Sequence, residues 1–312
     1  MKIIFFGSSN FAVPSLKALL ESRHEIGCVV TQPDKKSGRG LVLASTAVKK
    51  TAGDYGIEIY QPARINTIET VNLLRKTKSD LFIVVAYGQI LNKDILMIPR
   101  LFSLNAHASL LPLYRGAAPI NWAIIKGEAV TGVTVMKMVE AMDGGPIILS
   151  KETRISPEDT ALTLGEKLSI MAADLLLSAL DKIEGGEYKL IPQQEDKATY
   201  APKLKKEDGK ISWNIPAAAV RNLVRGCAGW PGTYTHYRNK LLKIFETEIS
   251  PSEKGKKIFK PGQIIDVSKN GIVVATAKDN LTVKKMQIEG KRIMDAADFV
   301  AGHKISSGEF FR

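Results

Sequence analysis

The first half of the chain alternates two kinds of run, and that alternation limits the fold more than any other feature. KIIFF, IGCVVT, IEIY and LFIVVA are short, apolar and rich in β-branched or aromatic residues, whereas FAVPSLKALLES, STAVKKTAGDYG and NTIETVNLLRKT are amphipathic. Apolar strands separated by helical segments build an α/β unit: a mostly parallel sheet with helices on both faces, in a Rossmann-like arrangement. Ligands of such sheets bind outside the carboxyl ends of the strands. Next, LFSLNAH reads as a strand, AAPINWAIIKG as a helix, and TGVTVMKM and PIILSKETRI as strands. PEDTALTLGEKLSIMAADLLLSALDKIEGG then reads as a long helix ending at a glycine pair.

The pattern changes after that helix. EYKLIPQQEDKATYAPKLKKEDGKISW is polar, contains prolines and has no sustained period, which predicts a linker. Beyond it TYTHY, KLLKIFET, GQIIDV, GIVVAT and LTVKKMQIEG are short strand-like runs separated by Gly, Asn, Asp and Lys, the spacing of a small barrel or sandwich. The domain reading is residues 1–190, a linker over 191–206, and a terminal β domain over 207–312. Trp213, Trp230 and Phe245 are expected in the core of that last domain. There is no internal repeat.

With 45% hydrophobic and 24% charged residues, 312 residues suffice for two ordinary cores. The opening MKIIFFGSSNF breaks its apolar run at Gly7, well short of a signal peptide, and no later stretch approaches the length of a membrane span. Cys28 and Cys227 lack any paired spacing for zinc or redox chemistry and are expected to be buried thiols. A cytoplasmic protein with no membrane partner fits these features. The formal charge of +12 is uneven, at +2 over residues 1–200 and +10 over residues 201–312. That asymmetry suggests a polyanionic partner, nucleic acid first and an anionic surface second.

Several activities are disfavoured. Gly7 is followed by SSNFA, which lacks the glycine spacing that lets a backbone approach a dinucleotide pyrophosphate, so a nicotinamide or flavin dehydrogenase is not expected. No G-x-S-x-G elbow is present, and the four histidines lack paired metal spacing.

The stretch LNAHASLLPLYRGAAP places Asn105, His107 and Ser109 at alternate positions, hence on one face of a strand, with Ala106 and Ala108 on the other. A lone histidine in a strand is most often a structural hydrogen-bonding residue. A carboxamide beside an imidazole at the carboxyl end of a strand is instead equipment for holding a developing oxyanion during acyl transfer. Asp143, before Gly144, Gly145 and Pro146, reads either as the cap of a glycine turn or as the partner that orients and charges a histidine. Spacing does not join it to His107. What remains is direct transfer, in which a bound nucleophile attacks an activated acyl donor without a covalent enzyme intermediate.

NAHASLLPLYRGAAPINWAI resembles the signature of the folate-dependent formyltransferases. TQPDKKSGRG, VVAYGQIL and CAGWPGTYT, in order and at the expected spacing, resemble the branch of that family that acts on methionyl-tRNA. The resemblance covers essentially the whole chain. It implies a catalytic trio of Asn105, His107 and Asp143, and a folate pocket around Ala86, Tyr87, Gly88, Gln89, Ile90 and Leu91 together with Ser109, Leu110, Leu111 and Pro112. It also implies a basic loop, with Lys35, Lys36 and Arg39, that enters the tRNA acceptor end, and an OB-like β-barrel as the C-terminal tRNA-binding domain. Lys203, Lys205 and Lys206 in the linker are candidates for contacts near the 3′ end. The implied reaction moves the formyl group of 10-formyltetrahydrofolate, a co-substrate, onto the α-amino group of methionyl initiator tRNA for translation initiation, with no metal, in a monomer. Ala108 replaces a frequent glycine, MDGGP a frequent D-T-G-D, and GSSNF a frequent G-T-P-x-F. Two alternatives stay open: a formyltransferase acting on an amino sugar nucleotide, and a folate-sensing nucleic-acid-binding protein without catalysis.

Overall fold

Ile3, Ile4, Phe5 and Phe6 are consecutive and all fully buried, so the strand they form is covered on both faces. The computed structural model describes residues 1–37, 42–251 and 259–312. They fall into two units: Met1–Pro119, Val130–Arg154 and Gly165–Ala201 form the first, and Ile120–Ala129, Ile155–Leu164 and Pro202–Arg312 the second.

In the first unit the strands are β1 (Lys2–Gly7), β2 (Glu25–Val30), β3 (Lys35–Ser37), β4 (Val42–Ala44), β5 (Ile59–Tyr60), β6 (Leu81–Val85), β7 (Phe102–His107), β8 (Arg115–Gly116), β9 (Val130–Lys137), β10 (Ile147–Arg154) and β11 (Tyr200–Ala201). Seven of them make one sheet in the order β10-β9-β7-β6-β1-β2-β5. β5, β2, β1, β6 and β7 are parallel, and β9 and β10 extend the sheet as an antiparallel pair beyond β7. The chain builds outward from β1 first to β2 and β5, then returns to β6 and β7. The crevice between β1 and β6 is therefore a topological switch point.

Alternation along the strands sorts the core. Ile4, Phe6, Cys28, Val30, Phe82 and Val84 point to one face, where Val71 and Leu74 of the helix Ile68–Lys76 and Ile95 and Leu96 of the helix Lys93–Leu96 cover them. The Phe6 and Phe82 rings lie 5.0 Å apart there. Each side chain of this size contributes about 1.5–3 kcal/mol on full burial. Thr46 and Thr67 cap the helices Ala47–Asp54 and Ile68–Lys76 by accepting the Lys49 and Thr70 N–H groups, which fixes where those helices begin.

The predicted linker has an ordered start. Ile191 bridges to Ile147, and β11 pairs in parallel with β8, so residues 191–201 are built into the first unit. Buried Cys28 and Cys227 are both free thiols, and burial pushes them up to about 11 and about 12.

In the second unit β12 (Thr233–Tyr237), β13 (Lys240–Ser250), β14 (Ile264–Ser268), β15 (Gly271–Ala275), β16 (Asn280–Ile288) and β17 (Met294–Asp295) form an antiparallel sheet along the path β12-β13-β16-β15-β14, with β17 on β16. Residues 309–312 join its two edges. The Ile264 N–H donates to the Glu309 carbonyl at 2.8 Å and the Phe311 N–H to Gly262 at 2.9 Å, while His236 and Arg312 exchange bonds of 2.8 and 2.9 Å. The sheet thus closes on itself as a small barrel, one of the two forms that the strand spacing allows. Two helices missing from the sequence reading, Ala217–Gly226 and Ala296–Gly302, place Val220, Val224 and Phe299 in its core. Trp213 is buried there as expected, donating its indole N–H to Thr235 at 3.1 Å. Trp230 and Phe245, expected in the core, are 60% and 41% exposed. Phe245 follows inward-pointing Ile244 in β13 and so faces outward, while Trp230 lies in the turn before β12. Among the described residues no helix is long and apolar enough to cross a membrane.

Candidate active site

His107 is the last residue of β7 and Asn105 lies two before it, so both project from one face, while Ala106 and Ala108 are buried. β9 pairs with β7 so that Asn105 faces Met136 and His107 faces Thr134. After β9 the chain loops through residues 138–146 and closes at a neck where the Lys137 N–H meets the Pro146 carbonyl at 3.0 Å. Gly145 is required at that neck, because a Cβ there would collide with the Lys137 carbonyl oxygen.

This loop carries Asp143 into contact with the other two residues. Asn105 Nδ2 donates to Asp143 Oδ1 at 3.3 Å, and the Gly116 N–H donates to Asp143 Oδ2 at 2.8 Å. His107 Nδ1 stands 3.6 Å from that same Oδ2. The other ring nitrogen, Nε2, is 2.9 Å from the Tyr114 carbonyl. A carbonyl only accepts, so Nε2 carries a proton and Nδ1 is the nitrogen left to face the carboxylate. Asp143 adopts φ +50°, a left-handed conformation that Asp reaches more readily than most residues with a Cβ.

The segment after β7 is pinned beneath this cluster. Ser109 falls beyond the end of the strand, is buried, and donates its hydroxyl to the Leu113 carbonyl at 2.6 Å. Fully buried Thr134 donates to the Ser109 carbonyl at 2.7 Å and accepts the Leu111 N–H at 3.1 Å. Leu110 and Pro112 remain partly exposed. Tyr114, at φ +59°, and Arg115 are held by Thr199, whose hydroxyl and carbonyl accept their N–H groups, both at 2.8 Å. The carbonyl that holds His107 is thereby fixed in place.

Residues 86–91 leave the end of β6, the strand beside β7. Ala86 and Gly88 are both left-handed, at φ +45° and +85°. The Tyr87 carbonyl accepts Ser8 Oγ and Gln32 Nε2, each at 2.9 Å, while its ring is buried against Phe6. Gln89 Oε1 accepts the Ile65 N–H at 3.0 Å, Ile90 is exposed, and Leu91 is buried.

Behind Asp143 lies a set of residues that the sequence reading missed. Buried Arg115 donates Nε and Nη2 to Gln193 Oε1 at 3.1 and 2.8 Å, and Nη1 and Nη2 to Glu195 at 2.9 and 2.8 Å. The pair with Glu195 holds the guanidinium pKa above its ordinary value and the carboxyl below its own. Gln193 Nε2 in turn donates to the Asp143 and Gly145 carbonyls, both at 2.7 Å. The one signal available in sequence was an arginine inside an otherwise small and apolar stretch, YRGAAP.

The basic candidates are more scattered. Lys35 is exposed with its Nζ donating to Gln32 Oε1, Lys36 stands in β3, and Arg39 lies outside the described residues. Lys203, Lys205 and Lys206 are exposed, and the Lys205 N–H is capped by Asp208 at 2.6 Å. Among the described residues no group of three His, Cys, Asp or Glu side chains is placed to hold a metal ion.

Residues 1–180 match the family model described as Formyl transferase, and residues 203–304 the model described as Formyl transferase, C-terminal domain. The chain belongs to the formyl transferase family. Within it, the chain falls among the methionyl-tRNA formyltransferases: it is 42% identical over 311 residues to that enzyme of Agathobacter rectalis, covering 100% of this chain and 99% of the other. Its fold is shared with WlaRD, a sugar 3N-formyl transferase solved in the presence of dTDP and 5-N-formyl-THF, at a TM-score of 0.67 and 20% identity over 94% of this chain and 99% of that one. It is shared also with HypX from Aquifex aeolicus in complex with tetrahydrofolic acid, at a TM-score of 0.63 and 18% identity over 100% of this chain. This chain spans 50% of that protein's length.

Proposed function

We propose that this chain transfers the formyl group of 10-formyltetrahydrofolate to the α-amino group of methionyl initiator tRNA, giving N-formylmethionyl-tRNA for translation initiation. The observation that carries this reading is the meeting of Asn105, His107 and Asp143 in one cluster, in a chain whose likeness to methionyl-tRNA formyltransferases is end to end.

The amine lone pair adds to the formyl carbon and the carbonyl electrons move to oxygen. Asn105 Nδ2–H is one donor for that oxyanion, and the Nδ1–H of a doubly protonated His107 is the other, because the Nε2–H is already held by Tyr114. Asp143, whose Oδ2 stands 3.6 Å from His107 Nδ1, takes the proton shed by the amine, through water. Collapse of the oxyanion breaks the bond to the folate N10, which receives the proton back. Asp143 is suited to this exchange because the Gly116 N–H and the Asn105 amide fix its two oxygens separately.

Ala86 to Leu91 and Ser109 to Pro112 form the folate pocket in this reading. Exposed Ile90 and partly exposed Leu110 and Pro112 leave apolar surface for a flat ring to cover. Lys35, Lys36 and Arg39 meet the acceptor end of the tRNA, and Lys203, Lys205 and Lys206 lie near its 3′ end. Residues 1–190 serve as catalytic domain, 191–206 as linker and 207–312 as tRNA-binding domain, in a cytoplasmic monomer.

The test is single-turnover and steady-state formylation of charged initiator tRNA. Asn105→Ala or His107→Ala should lower turnover by about a hundredfold, the cost of losing one oxyanion donor, with folate affinity little changed. Near-normal turnover in His107→Ala overturns the mechanism.

A further inference from the structure

Asp143 holds a left-handed backbone conformation, uncommon for a residue with a Cβ although Asp tolerates it better than most. Its carboxylate aim toward Asn105 and His107 depends on that conformation, so whatever maintains it also sets the geometry of proton transfer. The constraint comes from a residue 50 positions later in the chain. Gln193 ties together the carbonyls of Asp143 and Gly145, on either side of Gly144, with one amide nitrogen.

The orientation of that amide is dictated by chemistry. Arg115 can only donate, so Gln193 must turn its oxygen toward the guanidinium and its NH2 toward the loop. The guanidinium cannot swing away, because Arg115 is 4% exposed and makes a two-pronged pair with Glu195. Arg115 and its neighbour Gly116 thus act on Asp143 twice, the first through Gln193 onto the backbone and the second through an N–H onto the carboxylate.

We infer that Gln193 is a positioning residue for the formyl transfer, holding Asp143 in its left-handed conformation through an amide whose orientation Arg115 dictates. The inference rests on the reading of Asp143 as the group that orients His107 and takes the amine proton. Gln193 itself touches neither substrate in this scheme. It acts on turnover and not on affinity.

The experiment uses the full chain and four variants. Gln193→Glu is nearly isosteric and keeps an acceptor for Arg115, but sets a second oxygen against the two loop carbonyls. It should lower kcat about ten- to a hundredfold, the cost of a small misplacement of a reacting group. KM for both substrates should change less than about threefold, and the pH profile of kcat should shift because Asp143 no longer stands in its fixed relation to His107. Arg115→Lys keeps the charge but lacks the planar fork, and should reproduce the kcat loss in weaker form. Gln193→Met, which leaves both carbonyls unpaired without adding charge, repeats the test should Gln193→Glu fail to fold. Asp143→Asn separates the two readings. If it retains wild-type turnover, the assignment of Asp143 fails. If it abolishes turnover while the Gln193 variants keep the wild-type kcat and pH profile, or lose only KM, the positioning inference is overturned.

Discussion

Thr134 offers a test of how the site is held from beneath. Its hydroxyl is fully buried and makes two hydrogen bonds, donating to the Ser109 carbonyl at 2.7 Å and accepting the Leu111 N–H at 3.1 Å. Both partners are backbone groups of buried residues. Thr134→Val preserves shape and removes only the hydroxyl, so no cavity forms, yet one carbonyl and one N–H are left without partners. Each such group costs about 1–3 kcal/mol, so the first unit should lose roughly 2–6 kcal/mol. Thr134→Ser is the converse control. It keeps both bonds and sheds one buried methyl, for about 1 kcal/mol. Urea denaturation of the full chain, followed by signals from the first unit, should rank wild type above Ser above Val. Because the segment from Ser109 to Tyr114 ends in the carbonyl that fixes His107, Val should also lower turnover more than Ser does. A serine variant that is the less stable of the two would show that packing, and not the hydroxyl, holds the loop.

Other outcomes follow from the geometry. Cys28 and Cys227 are held neutral up to about pH 11 and 12, whereas unfolded thiols ionise near 9. Stability should therefore fall as pH rises from about 9 through that window, and iodoacetamide at pH 8 should label neither thiol until the chain is denatured; rapid labelling of native protein would contradict their burial. Affinity for tRNA should fall linearly with the logarithm of salt, and each of Lys203, Lys205 and Lys206 that meets a phosphate should remove about 0.7–0.9 from the slope when changed to alanine. An unchanged slope in the triple variant would take the lysines out of the interface.

The legible parts of this chain were those written in side-chain polarity. Runs such as LFIVVA announced central strands because both their faces are covered, and the alternation of Asn105 and His107 against Ala106 and Ala108 announced a polar face before the fold was known. Asp143 was visible as a turn residue, but its approach to His107 depends on the pairing of β9 with β7, which no local spacing encodes. Tyr114, Gly116 and Gln193 were invisible for another reason. Tyr114 acts through its carbonyl and Gly116 through its N–H, and every residue has the first and all but proline the second; Gln193 acts on two carbonyls from a segment with no period. Trp230 and Phe245 misled because aromatic residues in a β domain were expected in its core, and no local pattern marks Phe245, at the register shift after Ile244 in β13, as exposed.

The parallel pairing of Tyr200 and Ala201 with Arg115 and Gly116 bears on how such a gene can recombine. A crossover placed just after the long helix Ala161–Glu184 looks safe, since a helix has ended and a polar stretch begins. It would nevertheless give the recipient a foreign Gln193, Glu195 and Thr199 behind its own Asp143, Arg115 and Tyr114. Ala201 also accepts the Ala118 N–H at 3.2 Å, so the smallest piece that can be exchanged without mixing partners across the site extends through residue 201. Chimeras of two family members joined after that residue should inherit their turnover from the first parent, whereas those joined between residues 185 and 199 should fall below both parents.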